Sequence, residues 1–293
     1  MKIPPSISEA YPFEGRFHDT PQGHAMHYLD EGSGNEPPIL FLHGNPTWSF
    51  FYRRLILSLR ENSRCIAPDH IGCGLSEKPG FPEFEYDLRS HSENLLSLLE
   101  KLKVDRVRLV VHDWGGAIGL TAFRNLAERV DKIVLLNTAA FPSRDVALRI
   151  LLCRLPLLGS FLVRGLNGFA GPATHMAVAK PLSRETKTGY LLPYDNWTNR
   201  VAVWRFVRDI PFEKSHPTLP LLKETAQGLE QFRQTPAIAC WGMKDFCFHP
   251  GFLKEWEKRW PNLEATRIDH AGHYVLEDAL EPCIDKIAPF LAD

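Results

Sequence analysis

The chain has almost no net charge: 34 Lys and Arg stand against 35 Asp and Glu, leaving -1. No overall basic field is present to gather nucleic acid or anionic lipid. Its six cysteines (Cys65, Cys73, Cys153, Cys240, Cys247 and Cys283) lack the CxxC spacing of zinc or redox sites. Several lie in apolar, strand-like runs, so they are expected to be reduced core thiols of a cytoplasmic protein. The opening stretch MKIPPSISEAYPFEGRF has no apolar h-region, and no secretory signal is expected. The most apolar run, VALRILLCRLPLLGSFLV (146–163), is interrupted by Arg149, Arg154 and Pro156. No transmembrane segment is expected from so broken a run. The glycines of DHIGCGLSEKP (69–79) do not form GxGxxG and read as a turn, not a dinucleotide site. Repeats and low-complexity tracts are also missing.

What is present is a chain of 293 residues, 44% apolar and 24% charged, enough for one globular unit or one domain with an insertion. Short β-rich runs cover 24–31, 38–44, 64–69, 106–113, 132–138, 237–242 and 265–270. Several are almost continuously apolar, as strands buried on both faces of a parallel sheet must be. Between them lie helical patterns such as SENLLSLLEKL, where Leu95, Leu98, Leu99 and Leu102 form a core-facing stripe. Alternation of this kind predicts an α/β fold with ligands outside the carboxyl ends of the strands. It stops between about Phe141 and Phe212, where Pro142, Pro156, Pro172, Pro181 and Pro193 punctuate helical segments. The expected organisation is a main domain of 1–141 and 213–293 with a helical cap at 142–212.

The run RVRLVV leads through Asp113 into GGAIGLTAFRNLAERV, an abrupt strand-to-helix turn built on small residues. Such a turn is a nucleophile elbow, here with aspartate at its apex and Val111 where a small residue is usual. A carboxylate is ionised at neutral pH and attacks carbon to form an ester that must then be resolved. The competing reading makes Asp113 a simple helix N-cap.

The other groups that such chemistry needs stand at the ends of other predicted strands. PILFLHG leads to Asn45, whose N–H can join that of Trp114 in an oxyanion hole. AIACWG leads to Asp245, and ATRIDH leads to His273. His273 is the candidate base for water, with Asp245 orienting its ring. Each has a plain alternative: Asp245 as a turn residue, His273 as a surface histidine, and His270 as a rival base. His270 and His273 also make an HxxH pair, but no third ligand stands at a suitable spacing, so no metal site is expected.

HGNPTWSFFYR (43–53), APDHIGCGLSEKP (67–79), VVHDWGGAIG (110–119), GMKDF and AGHYVLED together resemble the haloalkane dehalogenases, a family of α/β-hydrolases. The resemblance runs from about Tyr28 to the C-terminus and includes the cap. It implies the α/β-hydrolase fold, Asp113 as nucleophile, Asn45 and Trp114 as donors to the departing halide, and no metal or organic cofactor. KIVLLNT ends in Asn137 where one large subgroup has a catalytic Glu, which leaves Asp245 as the acid. The set is similar to the third dehalogenase subfamily, whose members tend to self-associate. That cluster includes the β-lactone decarboxylases of bacterial olefin synthesis, and the cap segments KPLSRETKTGYLLPYDNW and RFVRDIPFEKSHP look like theirs. The implied partner is a small hydrophobic substrate, a haloalkane or a long-chain β-lactone, with self-association or assembly with other olefin-pathway enzymes.

Three alternatives follow from the same scaffold. Epoxide hydrolases need cap tyrosines, for which Tyr190 and Tyr194 are candidates; serine esterases need a Ser that the elbow lacks; a ligand receptor needs none of these groups. Leu151, Leu152, Leu155, Leu157, Leu158, Phe161 and Leu162 are expected either to line a substrate tunnel or to pack the cap on the main domain.

Overall fold

The computed structural model describes residues 3–34 and 37–292. The outer limits of the expected main domain, residues 1 and 293, lie outside them. The strands are β1 (Arg16–Asp19), β2 (Ala25–Glu31), β3 (Ile39–Leu42), β4 (Cys65–Pro68), β5 (Val107–Asp113), β6 (Val130–Thr138), β7 (Ala237–Gly242) and β8 (Glu264–Ile268). They form one sheet in the order β1-β2-β4-β3-β5-β6-β7-β8. Only the β1–β2 and β2–β4 pairings are antiparallel. All seven predicted strands are present. β1 escaped the sequence reading because it is an edge strand with one buried residue, His18, and so carries no apolar pattern.

The period of two along the central strands sorts their side chains into two cores. Leu40, Leu42, Leu109, Val111, Ile133 and Leu135 enter one layer, while Ile39, Phe41, Val110, Val134 and Leu136 enter the other. The helix Leu88–Lys101 packs its Leu95, Leu98 and Leu99 into the first layer, with Leu102 partly buried beside them. Asp87 starts this helix by accepting the Ser90 N–H at 2.8 Å. Strand order reverses direction between β3 and β5, so the crevice of the sheet opens where those two strands end. Leu42 and Asp113 are their last residues.

Between β6 and the helix Thr218–Gly228 the chain leaves the sheet as helices Leu148–Cys153, Pro156–Ser160, Ala170–Met176, Arg184–Leu191 and Val201–Asp209. Ile150, Val163, Tyr194, Val203 and Val207 give this excursion a small core of its own. Its second half is tied down by polar contacts. Trp48 Nε1 donates to Gly189 O at 3.1 Å, and Tyr194 OH donates to Thr47 O at 3.2 Å. The Asp278 carboxylate accepts the N–H groups of Ala179, Lys180 and Gly272 at 2.8, 3.0 and 2.7 Å. Tyr190 OH donates to Glu277 Oε1 at 2.6 Å, and Glu277 is gripped bidentately by Arg53. Arg53 and Tyr190 are buried, as is the Glu277 side chain. Glu277→Ala strands the Arg53 charge in that environment, which costs about 3–5 kcal/mol. The thermal midpoint should fall by roughly 10 °C; a shift below about 2 °C in a melting curve would contradict this role for the pair.

The seven apolar residues between Leu151 and Leu162 divide between partial packing and exposure. Leu152, Leu155, Leu157, Leu158 and Phe161 are exposed, while Leu151 and Leu162 are half-buried. None of the seven lines the cavity described below, and Leu157 and Phe161 leave more than half of their surface uncovered. Apolar composition alone does not reveal which face of a short helix has a neighbour. No helix among the described residues is long and apolar enough to cross a membrane.

Candidate active site

Asp113 ends β5 with φ 51° and ψ -125°, a conformation that non-glycine residues adopt at a cost of about 1–3 kcal/mol. The surroundings enforce it. Thr138 Oγ1 donates to Asp113 O at 2.5 Å, and Gly115 fits only without a side chain, since a Cβ there would lie 1.9 Å from Leu42 O. Gly119 lets the helix approach β3, since a Cβ there would lie 2.6 Å from Leu42 Cδ1, whereas Val111 Cγ1 would stand at an ordinary contact distance of 3.5 Å. The Asp113 side chain makes no Asx-type cap to the following helix. Its Oδ1 instead accepts the Asn45 N–H at 2.7 Å, and the Trp114 N–H also acts on the carboxylate.

His273 arrives on the loop after β8. Its Nδ1 donates to Asp245 Oδ2 at 2.7 Å, and its Nε2 stands 3.6 Å from Asp113 Oδ2. With Nδ1 holding its proton toward Asp245, Nε2 is the nitrogen left to exchange one with water. Asp245 is fixed from the other side by the Cys247 N–H at 2.6 Å. The structure therefore brings Asp113, His273, Asp245, Asn45 and Trp114 to one place. His270 lies exposed on the turn after β8 and takes no part. Asn137 accepts the Gly242 N–H at 2.8 Å and donates to Gly242 O at 3.0 Å, clamping the ends of β6 and β7 together.

Burial raises the Asp113 pKa above its ordinary value, against the opposing pull of His273 and the two N–H groups. For His273, burial acts to lower the pKa, but the Asp245 charge and hydrogen bond, together with Asp113, outweigh it and the net shift is upward. Sequence reasoning missed His112. Its ring lies 4.5 Å from that of His273, and its Nε2 pairs with His273 O at 2.9 Å. Burial keeps His112 well below the ordinary imidazole value, so it is a neutral donor that holds the His273 loop. Its place in the elbow string was visible; its partner, 161 residues away, was not.

Above these groups lies a cavity of about 360 Å³. Ala117, Phe141, Ile150, Phe169, Ala173, Val207, Leu222 and Phe248 make its walls apolar, and Asn45, Asp113, Trp114 and His273 supply the polar floor. The Trp114 indole N–H has no hydrogen-bond partner among the described residues. Asn45 Nδ2 donates one hydrogen to Val203 O at 3.1 Å, while its Oδ1 is buried without a partner among those residues. Tyr190 and Tyr194 do not line the cavity; their hydroxyls are committed to Glu277 and Thr47. The two phenols that epoxide opening would require are therefore not available.

Residues 37–280 match the family described as the alpha/beta hydrolase fold. This chain belongs to the α/β-hydrolase family. It is 39% identical over 276 residues to a cis-3-alkyl-4-alkyloxetan-2-one decarboxylase of Shewanella oneidensis, covering 92% of this α/β-hydrolase and 86% of the relative. It is 34% identical over 282 residues to haloalkane dehalogenase 2 of Mycobacterium tuberculosis, covering 92% of each. Among solved structures, the haloalkane dehalogenase DbeA from Bradyrhizobium elkani superposes with a TM-score of 0.87 at 24% identity, covering 96% of this chain and 98% of that one. That likeness speaks for the fold.

Proposed function

We propose that this α/β-hydrolase opens cis-β-lactones with Asp113 as nucleophile and releases carbon dioxide and a cis-alkene. The supporting observation is the division of labour within one carboxylate. Oδ1 is held by the Asn45 N–H at 2.7 Å, while Oδ2 faces the cavity floor 3.6 Å from His273 Nε2. Oδ2 attacks the ring carbon that bears the ring oxygen, the carbon–oxygen bond breaks, and the freed substrate carboxylate turns to the Trp114 indole and the second Asn45 amide hydrogen. The resulting ester carries that carboxylate on the neighbouring carbon. Loss of carbon dioxide sends the carbon–carbon electron pair into a double bond and expels the Asp113 carboxylate. Inversion in the first step followed by anti elimination preserves the cis geometry.

A second reading, haloalkane dehalogenation, uses the same attack and is favoured by the unpartnered Trp114 N–H. The alkyl ester left by halide departure has no internal exit, so water deprotonated by His273 attacks the Asp113 carbonyl carbon, with Oδ1 in the Asn45 and Trp114 N–H groups. Esterification removes the Asp113 charge, one of the influences that raise the His273 pKa, and so leaves more of the imidazole in the neutral form that accepts a proton from that water. The higher identity to the decarboxylase relative, 39% against 34%, supports the lactone reading. In both readings residues 142–212 act as a cap, and small apolar molecules are the partners this cavity suits. The thiol-rich, unpaired cysteine set fits a cytoplasmic setting. Self-association or assembly with other olefin-forming enzymes comes from the resemblance alone.

The test is a paired assay of one preparation, following bromide from 1-bromohexane and alkene from a synthetic cis-β-lactone. Dominant alkene formation supports the first reading, and dominant bromide release replaces it with the second. Trp114→Phe keeps the ring and removes the donor, and should slow displacement by about 10²-fold or more. An unchanged single-turnover rate would remove Trp114 from the leaving-group site.

A further inference from the structure

We propose that the exposed face of the cap at 148–166 docks on an anionic phospholipid bilayer and sets the cavity mouth against it. Leu148, Leu152, Leu157, Leu158, Phe161 and Leu166 are 73, 48, 88, 49, 55 and 62% exposed. Leu148 and Leu152 share a face of the helix Leu148–Cys153, and Leu157 shares one with Phe161 a turn further on. The two helices meet at Pro156, where the Gly159 N–H donates to Leu155 O at 2.8 Å. Contiguous apolar surface rimmed by polar groups marks an interaction site.

The rim selects the occupant. Residues 141–180 contain Arg144, Arg149, Arg154, Arg164 and Lys180 but only one acid, Asp145. The near-neutral charge of the whole chain conceals this basic region. Arg154 is committed to Glu213, and Asp145 to His249. Arg144, Arg149 and Lys180 are exposed, and Arg164 lies 4.4 Å over the ring of half-exposed Trp197. Leucine and phenylalanine flanked by arginine and a rim tryptophan suit the boundary between acyl chains and anionic headgroups. A symmetric contact with a second copy would instead bring two copies of the same basic region to one interface.

The cavity reaches the surface at the same edge. Exposed Arg149 and Met176 both line it, and Arg149 NH1 lies 3.9 Å from Met176 Sδ. Leu148 stands next to Arg149, so docking brings the mouth to the acyl layer. A second copy seated here would cover that mouth. Direct uptake of a long-chain substrate from the bilayer rests on the lactone reading above; the docking surface does not.

Flotation of the full chain with phosphatidylcholine vesicles, with and without one-quarter phosphatidylglycerol, tests the proposal. Protein should float with the anionic vesicles and remain below with the neutral ones. Leu157→Glu and Arg164→Glu should each lower the bound fraction about fivefold or more. The circular-dichroism spectrum and thermal midpoint should be unchanged by Leu157→Glu, which shows that the variant is folded. Absence of flotation with anionic vesicles, or flotation indifferent to both substitutions, overturns the proposal. So does a dimer, seen by light scattering, that Leu157→Glu dissolves while vesicles capture nothing. Asp113→Asn must float like the unaltered chain. Vesicle binding by a protein inactive on both substrates sustains the docking surface and ends the lactone reading.

Discussion

Asp113→Asn should abolish alkene formation and bromide release together, with a loss of about 10⁴-fold or more, comparable to removing the nucleophile of a covalent enzyme. The side chain keeps its shape and its carbonyl can still accept the Asn45 N–H, so the loss measures nucleophilicity and not misfolding. Stability should move the other way. Burial raises the pKa of Asp113 in the folded protein, so keeping this group ionised at neutral pH works against the fold, and the cost grows as pH rises through the folded value. The neutral amide removes that cost, and the thermal midpoint at pH 8 should be at least that of the unaltered chain. Retained turnover on either substrate sinks the assignment. Lost turnover with a strongly lowered midpoint would point to a structural role for Asp113.

His273→Ala should split the two chemistries. With 1-bromohexane it should release about one equivalent of bromide and then stall, the hydrolytic step losing about 10²–10⁴-fold with its general base. Intact-mass measurement should find an alkyl ester on Asp113. With the lactone, decarboxylation expels Asp113 without water, so alkene should continue to form. Isotopic oxygen from water should enter Asp113 during dehalogenation and not during alkene formation. In the unaltered protein, hydrolysis needs neutral His273, whose pKa is raised above 6.5. Esterification withdraws the Asp113 influence, so the acid limb of bromide release should lie below the pH at which His273 titrates in the free protein, and a limb above it would show that His273 does not govern the step. The stabilising His273–Asp245 contact follows the opposite trend: it is fully present below the unfolded imidazole pKa and is lost as pH rises through the folded one.

The sheet and the five polar groups were legible because strand ends are punctuated by glycine and by sharp changes of periodicity. Asp113, Asp245 and His273 all follow such ends, and parallel strands deliver them to one edge. β1 was not legible, since RFHD presents one buried side chain and no alternation. Arg53, Tyr190 and Glu277 resemble ordinary surface or core residues in sequence; only the fold brings positions 224 residues apart into one buried cluster. Asp278 was hidden similarly, because an acid that gathers three backbone N–H groups has no local signature. The leucines between 148 and 166 were conspicuous, yet composition does not tell which face of a short helix has a neighbour.

The tether through Asp278 limits how this molecule can breathe. One carboxylate fastens the Gly272 end of the base loop to Ala179 and Lys180, and Tyr190 and Tyr194 bolt the following stretch to the main domain. That side of the helical excursion behaves as a wall, because moving it would drag His273 away from Asp113. Any widening of the cavity falls instead on the segment from Val146 to Met176. Chain-length selection can thus be altered by substitutions on that flank while the geometry that breaks bonds stays fixed.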